Sequence, residues 1–325
     1  MKNIALITGG FSGEAEISYL SADTIFKNID REQYNCYLID IRREGWFYKD
    51  GSGQNTEVNK NDFSILEDGR IIKFDAVING LHGTPGEDGK LSGYFDCINL
   101  PYTSCNVAAA AITFNKKYTI ALAARFGINV ADSIAITKND NHTTEEILQH
   151  LTLPVFVKPN CGGSSIGMSK VNNKETLQSA IEKAFNEDET VLVEKFIDGR
   201  EFTIGVYQLR SQIIPLPITE IISKNEFFDF EAKYKGNSEE ITPAQIPAEM
   251  KERIEQEAVK AYRMFDCSGV VRIDFIYDKQ EQRPFMLEIN TVPGQSAASI
   301  IPQQVAAAGM SLKEFYSQLI EECLQ

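Results

Sequence analysis

The stretch of sequence that decides the fold reads GVVRIDFIY, DKQEQR and PFMLEINTVPG, and it covers Gly269–Gly294. Its first and last segments alternate apolar with polar or charged residues, which is the period-two pattern of a β-strand. We expect the polar middle segment to close a hairpin in which Asp274 lies opposite Glu288. In the same register Arg272 lies opposite Asn290. Like charges directly opposed on one face destabilise a hairpin, so this pair of acids needs an explanation.

A divalent cation would explain the pair, because Mg²⁺ binds carboxylate and amide oxygens and leaves other positions for phosphate oxygens. The alternative is that both acids lie on a solvated face and that Arg272 simply neutralises Asp274. On the opposite face the alternation predicts apolar side chains, including Leu287 and Ile289. This stretch alone leaves both interpretations open.

Length and composition restrict the class of protein. A chain of 325 residues predicts two or three domains. The net charge of −14, from 32 basic and 46 acidic residues, argues against nucleic-acid or anionic-membrane partners, whose phosphates would be repelled. Six cysteines without a C-x-x-C pair indicate reduced thiols rather than a zinc or disulfide framework. With no apolar run of membrane-spanning length, we expect a soluble, cytoplasmic protein.

The N-terminal segment has the pattern that opens a parallel α/β sheet. Asn3–Thr8 is short, apolar and followed by two glycines, and a helical pattern with Ile17, Leu20 and Ile25 on one face comes next. Phe74–Asn79 is expected to be a third parallel strand. Because strand, glycine turn and helix open a βαβ unit, we expect ligands at the carboxyl ends of these strands.

Charged side chains follow two of these strands at that edge. Glu14 and Glu16 start the first helix, where they either complement the helix dipole or present a carboxylate to a ligand ammonium. His82 lies in a glycine-rich loop after the third strand, beside Glu87 and Asp88. A loop histidine is usually structural or solvated. Because His82 lies at this edge of the sheet, a role in binding a ligand is as well supported as a structural role.

The middle of the chain contains a glycine-rich loop between two predicted strands. LPVFVKPNCGGSSIGMSKV, residues 153–171, combines backbone N–H groups, two hydroxyls and Lys158 where a polyphosphate could lie. It is not a Walker A motif, which is found nowhere in the chain. An alanine-rich helix is expected from Ala108 to a cap at Gly127, with Lys116 on what is by default a solvated face.

The C-terminal half before the decisive hairpin predicts strands, a loop and a helix. Val191–Phe196 is expected to be a strand with EFTIGVY, residues 201–207, as its hairpin partner. Residues 218–241 have no sustained period and carry aromatic side chains, which indicates a long ordered loop. Glu249–Phe265 has the apolar stripe of an amphipathic helix.

Taken together, these motifs resemble the ATP-grasp superfamily and, within it, the D-alanine–D-alanine ligases. The resemblance implies an α/β fold, with an N-terminal parallel-sheet (pre-ATP-grasp) domain over 1–104. A two-subdomain α+β ATP-grasp fold follows, with a central subdomain over 105–190 and a C-terminal catalytic subdomain over 191–325. The motifs that carry the resemblance are GGFSGEAEIS, LHGTPGEDGKLSG, FNK, VFVKPNCGGSSIGMSKV, VEKFIDGREFT, FDFEAKY, GVVRIDF and EINTVPGQSAAS.

The family's reaction is ATP-dependent and serves peptidoglycan precursor synthesis. The carboxylate of a first D-alanine takes the γ-phosphoryl group of ATP, and the amine of a second D-alanine attacks the acylphosphate. The resemblance implies two Mg²⁺ ions, with Mn²⁺ as a substitute, a monovalent cation such as K⁺, and a homodimer. The partners it implies are the small molecules ATP and D-alanine, without nucleic acid or membrane.

The resemblance also implies roles for residues that bind ATP and metal. The metal ligands would be Asp274, Glu288 and Asn290. Those facing the phosphates of ATP would be Lys116, Lys158, Gly163, Ser165 and Lys233. Those facing the nucleoside would be Glu194, Lys195 and Ile197 at adenine and Glu201 at ribose.

A second set of roles concerns the amino-acid substrates. Glu16 would bind the ammonium of the first D-alanine and form a hydrogen-bonded set with Ser164 and Tyr234, with His82 nearby. Arg272 and the backbone N–H of Gly294 would stabilise the oxyanion. Those holding the second substrate would be Ser299 and Ile300.

Two departures from the family pattern affect these expectations. Gln295-Ser296 stands where the family often has Met-Thr, and Cys161 precedes the paired glycines where many members have another polar residue. Tyr234 is informative, because relatives that make D-alanyl-D-lactate lack it. The alternatives are therefore a ligase with another acceptor, D-lactate or D-serine, and a non-catalytic nucleotide-binding relative.

Overall fold

The computed structural model describes residues 1–50, 53, 55–140, 142–163, 166–223 and 238–325. Ser164, Ser165, Lys233 and Tyr234, to which the resemblance gives roles, lie outside the described residues. In these described ranges, none of the helices has the length and apolar character that crossing a lipid bilayer requires.

The N-terminal part of the chain builds a five-stranded sheet and a separate small hairpin. Its elements are β1 (Lys2–Gly9), α1 (Ala15–Asn28), β2 (Tyr34–Ile41), β3 (Trp46–Lys49), β4 (Asn55–Glu57), β5 (Ile65–Glu67), β6 (Arg70–Ile72), β7 (Ala76–Asn79) and α2 (Lys90–Cys97). β1 lies between β2 and β7 and is parallel to both, which confirms the predicted βαβ opening. β3 and β4 extend the sheet with antiparallel pairing, and β5 and β6 form the hairpin.

Helix α1 buries a different face from the one predicted. Ile25 is buried as expected, but Leu20 is 56% exposed, and the buried face also includes Ser18, Ser21 and Ala22. Small side chains on this face bring the helix close to the sheet. The prediction for Leu20 was wrong because apolar side chains that line a cavity give the same sequence pattern as those in a core, and Leu20 lines such a cavity.

The middle of the chain builds a four-stranded antiparallel sheet. Its elements are α3 (Val107–Phe114), α4 (Lys116–Arg125), β8 (Ser133–Thr137), α5 (Thr144–His150), β9 (Val155–Pro159), β10 (Ser169–Val171), α6 (Leu177–Phe185) and β11 (Thr190–Lys195). The strand order is β10-β9-β11-β8. The packed side of the sheet carries Val155, Val157, Val191 and Val193.

Two predictions for this part were wrong. The single helix expected from Ala108 is two helices, because the Asn115 side chain accepts a hydrogen bond from the backbone N–H of Tyr118 and starts α4. β11 pairs with β8 and β9 instead of with EFTIGVY. The second sheet therefore extends to Lys195, and the domain boundaries at residues 104 and 190 stay predictions.

The C-terminal part builds the largest sheet. Its elements are β12 (Gly199–Leu209), β13 (Gln212–Pro215), β14 (Thr219–Ser223), β15 (Ser238–Ile241), α7 (Ala248–Met264), β16 (Val270–Asp278), β17 (Pro284–Asn290), α8 (Ile300–Ala307) and α9 (Leu312–Cys323). The strand order is β15-β14-β12-β16-β17, and β13 pairs with β12. EFTIGVY thus pairs with β16 in antiparallel register. The two ends of the predicted loop 218–241 are strands, and its centre lies outside the described residues.

The decisive hairpin has the predicted register where the acids lie. Asp274 is opposite Glu288 and Arg272 is opposite Asn290. The other face of β16 is buried in the core against α7, with Ile273 fully buried. Because that face is filled by apolar side chains, the polar face of the hairpin is left to line the site.

A β-bulge changes the pattern beyond the acids. The register shifts between Asp274 and Phe275, so Phe275 is opposite Met286 and one residue of β17 has no partner in the ladder. Leu287, which alternation placed on the face opposite Glu288, lines the same cavity as Glu288. The prediction for Leu287 was wrong because a bulge breaks the period of two.

Gly269, which starts β16, allows the close approach of another part of the chain. Its φ is +63°, and a Cβ atom there would lie 1.8 Å from the backbone oxygen of Thr103. Gly309, after α8, has φ +77° but has no atom within 4 Å of a Cβ position. A side chain at either glycine would strain the backbone, but only at Gly269 would it also collide with another part of the chain.

We expect Gly309→Ala to lower the free energy of unfolding by about 1–2 kcal/mol, the strain of a left-handed alanine. Gly269→Ala should lower it by about 2–3 kcal/mol more, because the added methyl group also displaces Thr103. Urea unfolding of both variants measures the difference. Equal losses in the two variants would show that the contact between Gly269 and Thr103 is not tight.

Candidate active site

Two adjacent cavities lie on the polar face of the hairpin. The larger has a volume of about 360 Å³ and the smaller about 320 Å³. They share lining residues from all three parts of the chain, including Glu14, Lys116, Gly163, Glu201 and Glu288. Because these side chains belong to both walls, the two cavities form one continuous site.

Asp274 is held between cationic and neutral donors. Its Oδ1 accepts hydrogen bonds from Thr203 Oγ1 at 2.6 Å and from Arg272 Nε at 2.9 Å. Its Oδ2 accepts from an Arg272 guanidinium nitrogen at 2.8 Å and from Asn290 Nδ2 at 3.2 Å. Arg272 therefore neutralises Asp274, as one of the two interpretations of the sequence expects, but Asp274 is buried and does not lie on a solvated face.

Lys116 joins the second acid to the glycine-rich loop. Its Nζ lies 3.4 Å from Glu288 Oε2 and donates to the Gly162 carbonyl at 2.8 Å. The Asn160 carbonyl accepts from the Lys116 backbone N–H at 3.1 Å, and Asn160 Oδ1 accepts from the Lys117 backbone N–H at 2.8 Å. The break before α4 thus places Lys116 over the loop, and Lys116 does not lie on a solvated face.

The polar face of the hairpin suits a cation that is shared with a phosphate ligand. Asp274, Glu288 and Asn290 offer two carboxylates and an amide, and Mg²⁺ usually takes one or two carboxylates together with phosphate oxygens. Among the described residues, no cluster of three or more His, Cys, Asp or Glu side chains could hold a metal ion alone. The donor set therefore fits a metal–nucleotide complex better than a closed structural metal site.

The smaller cavity combines a buried ion pair with apolar walls. Lys158 Nζ lies 2.7 Å from Glu194 Oε2, and the two residues are 8% and 5% exposed. Within the described part of the chain, the other oxygen, Glu194 Oε1, is buried without a hydrogen-bond partner. Apolar side chains that include Phe156, Met168 and Leu287 line the same cavity. This wall suits a flat heterocycle that carries an amino group, which could donate a hydrogen bond to Glu194.

Lys195 and Ile197 lie elsewhere. Their side chains line a third cavity, with a volume of about 500 Å³, together with Arg283 and Phe285. Successive residues of a strand point to opposite faces, so the side chain that follows Glu194 points away from the smaller cavity. The structure does not bring these two side chains to the site.

Glu14, and not Glu16, faces the site. Glu14 lines both cavities, whereas Glu16 is exposed and lines neither of them. Residues two apart at a helix start point to different faces, which the sequence motif alone did not resolve. Gly83 lies against this carboxylate, because a Cβ atom there would be 2.7 Å from Glu14 Oε2.

His82 lies in the wall of the larger cavity and is held by α1. Its Nε2 is 2.9 Å from Ser21 Oγ, and its backbone N–H donates to Ser18 Oγ at 2.9 Å. Burial, followed by the positive charge of Arg272, lowers the pKa of His82 to about 4. The imidazole is therefore neutral at physiological pH.

Glu87 is a site residue to which the sequence analysis gave no role. It lines the larger cavity, and it accepts from the backbone N–H of Gly83 at 2.7 Å and of Val292 at 3.3 Å. Burial, followed by the charge of Glu14, raises the pKa of Glu87 to about 8. Its position in the same glycine-rich loop as His82 was the signal that could have identified it.

The far end of the larger cavity carries small and hydroxyl side chains. Gly294, Ser299 and Ile300 line it, as does Ser296, whose Oγ lies 2.7 Å from Ser299 Oγ. A Cβ atom on Gly294 would lie 2.8 Å from Ser299 Oγ. This end offers hydroxyl donors at the start of α8, where the helix dipole favours a carboxylate.

The fold and the joined cavities define a protein of the ATP-grasp class. The family model described as D-ala D-ala ligase N-terminus matches residues 3–105, and the model described as D-ala D-ala ligase C-terminus matches residues 122–321. The chain belongs to the D-alanine–D-alanine ligase family.

Individual relatives match over nearly the whole length. The D-alanine–D-alanine ligase of Parabacteroides distasonis is 45% identical over 324 residues, covering 100% of this chain and 98% of the relative. That of Flavobacterium johnsoniae is 44% identical, with 99% of each chain covered. Among solved structures, the VanG D-Ala:D-Ser ligase from Enterococcus faecalis has a TM-score of 0.88 at 34% identity, with 99% of each chain covered. The D-alanine–D-alanine ligase from Bacillus anthracis complexed with ATP has a TM-score of 0.80 at 27% identity, covering 100% of this chain and 98% of that one.

The buried pair Lys158–Glu194 yields a stability prediction. Lys158→Met leaves Glu194 buried without its cation, so we expect the free energy of unfolding to fall by about 3–5 kcal/mol. The double variant Lys158→Met/Glu194→Leu should recover most of this loss, because no charge is then buried.

The exposed pair Lys279–Asp198, at 2.9 Å, is the matched control. Lys279→Met should change the free energy of unfolding by less than about 1 kcal/mol, since water solvates the remaining charge. Urea unfolding of the four proteins measures all three effects. A loss in Lys158→Met no larger than in Lys279→Met would contradict the burial of the pair.

Proposed function

We propose that the protein joins two D-alanine molecules, with ATP as the phosphoryl donor, to form D-alanyl-D-alanine, ADP and phosphate for peptidoglycan precursor synthesis. One observation carries the proposal. The smaller cavity, which suits a purine, opens into a larger one across a wall that contains Asp274, Glu288 and Lys116. A carboxylate held at that wall would meet the terminal phosphoryl group of the nucleotide.

The smaller cavity and the shared wall would bind the nucleotide. Glu194 Oε1 would accept a hydrogen bond from the adenine amino group, and Glu201 would reach the ribose. Lys158 and Lys116 would contact the phosphates, with the backbone at Gly163 beside them. This assignment is supported by the lining of the cavity and leaves the side chains of Lys195 and Ile197 without a role in binding adenine.

Asp274, Glu288 and Asn290 would hold two Mg²⁺ ions in our proposal. When bound, Mg²⁺ offsets the charge on the transferring phosphoryl group. Arg272, which holds Asp274 through two hydrogen bonds, also lines the larger cavity. Its guanidinium and the backbone N–H of Gly294 would stabilise the oxyanion that forms when the second amine attacks the acylphosphate.

The larger cavity would hold the two amino-acid substrates. Glu14 would replace Glu16 as the partner of the first ammonium, because of these two acids only Glu14 lines the cavity. Ser299 and Ile300 would bind the second substrate at the start of α8. Holding the two reactants in one cavity turns their encounter into an intramolecular step.

D-Serine is the second candidate acceptor. The Ser296 hydroxyl beside Ser299 adds a polar group to the end of the cavity where the acceptor would bind, and the likeness to a D-Ala:D-Ser ligase favours the same alternative. We also propose a cytoplasmic location, where ATP is available. The homodimer stays a prediction.

We expect coupled ADP release that depends on D-alanine, with D-alanyl-D-alanine as the product. Mixtures of D-alanine with D-serine or D-lactate, analysed by mass spectrometry, identify the preferred acceptor, and L-alanine should not support release. A mixed D-alanyl-D-serine product in excess would favour the second candidate. ADP release that ignores D-alanine would contradict both.

Glu288→Ala is the control for the proposed chemistry in this assay. It should fold, because Glu288 is half-buried in the cavity wall rather than in the apolar core, and it should lose at least about a hundredfold in turnover. Full turnover in this variant would show that Glu288 has no part in the reaction.

Glu14 and Glu16 differ in a way that kinetics can detect. Glu14→Gln should raise the KM for the first D-alanine by about tenfold or more, because a charged hydrogen bond to the ammonium is lost. Glu16→Gln, the matched variant on the exposed face, should leave this KM unchanged. The opposite pattern would return the role to Glu16.

A further inference from the structure

Gln295, one of the two departures from the family pattern, lies outside both cavities and contacts helix α1. It is 5% exposed. Its backbone N–H donates to Ser21 Oγ at 3.1 Å, and its Oε1 accepts from the Tyr316 hydroxyl of α9 at 3.3 Å. Gln295 is therefore held from two sides, and its N–H points at one oxygen.

Ser21 connects this N–H to the imidazole of His82. Its Oγ is fully buried and lies 2.9 Å from His82 Nε2. A backbone N–H can only donate, so Ser21 Oγ accepts from Gln295. Among the described residues, the acceptor within reach of the Ser21 proton is His82 Nε2. Since a buried hydroxyl proton without an acceptor is unfavourable, Ser21 donates to Nε2.

We propose that Ser21, oriented by the backbone of Gln295, is a positioning residue that fixes His82 in the neutral tautomer with its proton on Nδ1. This assignment follows from the order of donors: Gln295 donates to Ser21, and Ser21 donates to His82. Nε2 then has a lone pair that accepts, so the single proton of the neutral ring is on the other nitrogen.

The surroundings of the ring agree with this tautomer. The backbone of Val292 also acts on the His82 ring and raises its pKa against the larger effect of burial. The Val292 N–H is taken by Glu87 Oε1 at 3.3 Å, which leaves its carbonyl to accept from Nδ1–H. His82 and Glu87, both from the loop after β7, then hold the Val292 peptide group from its two sides.

The consequence for the reaction rests on the proposed function. Val292 lies two residues before Gly294, whose backbone N–H would face the oxyanion. A ring in the Nδ1-protonated tautomer holds the chain there, whereas a ring in the other tautomer would direct a lone pair at the Val292 carbonyl. Ser21 therefore acts on the oxyanion site through His82 and does not touch substrate itself.

The tautomer can be measured in the full-length protein by long-range ¹H–¹⁵N NMR of ¹⁵N-histidine-labelled samples. The chain has three histidines, and His82→Gln assigns the signal of interest. We expect wild-type His82 to show a protonated Nδ1 and an unprotonated Nε2 near pH 7.5. Ser21→Ala should abolish this pattern. It should also lower kcat by about ten- to a hundredfold, because a small displacement of a group that supports the site slows the reaction. The KM for ATP should be unchanged.

Ser18→Ala is the matched control, because the hydrogen bond between Ser18 and His82 is made to the backbone N–H and not to the ring. It should retain the wild-type tautomer. Wild-type His82 with its proton on Nε2 would overturn the proposal, and so would an unchanged tautomer in Ser21→Ala. If Ser21→Ala does not fold, the wild-type tautomer alone decides. The NMR measurement does not depend on turnover, so it can contradict the proposed tautomer whether or not the protein has the proposed ligase activity.

Discussion

The opposition of Asp274 and Glu288 on neighbouring strands is the constraint on which the rest of the site depends. Two carboxylates in this position repel each other, and the structure compensates with cations from both sides. Arg272 forms two hydrogen bonds with Asp274, and Lys116 lies 3.4 Å from Glu288. Lys116 reaches Glu288 because the helix expected in this region is broken at Asn115. The start of α4 at Lys116 thus places one of the two cations that face the acids of the hairpin.

The sequence predicted the parts of the site that follow from local periodicity. The register that joins Asp274 to Glu288 came from alternation and a polar turn, and the structure confirms it. Leu287 was assigned to the wrong face, because a bulge has no marker in a pattern of apolar and polar residues. The sequence also did not distinguish Glu14, which lines both cavities, from Glu16, which is exposed, because both acids belong to one motif and only the orientation of the helix start separates them. The pairing of β11 with β8 and β9 depends on contacts between distant segments, which periodicity does not encode.

The loop after β7 has more functions than a sequence motif indicates. Its glycines permit close approach, as at Gly83, where there is no room for a side chain beside Glu14. Its two titratable residues are shifted in opposite directions, with the pKa of His82 lowered and that of Glu87 raised, and burial is the first cause of both shifts. Both shifts favour the uncharged form of the side chain. The two shifts thus both reduce the charge on this wall of the larger cavity, which Arg272 and Glu14 also line.

Helix α1 brings a second kind of constraint. Glu14, Ser18 and Ser21 are four and three residues apart, which places the contacts to the cavity and to His82 along one side of the helix. Inserting or deleting one residue between Glu14 and Ser21 would turn the two ends by about 100° relative to each other. Natural variants of this segment should therefore differ freely in the side chains on its outer surface, while the number of residues between Glu14 and Ser21 stays constant.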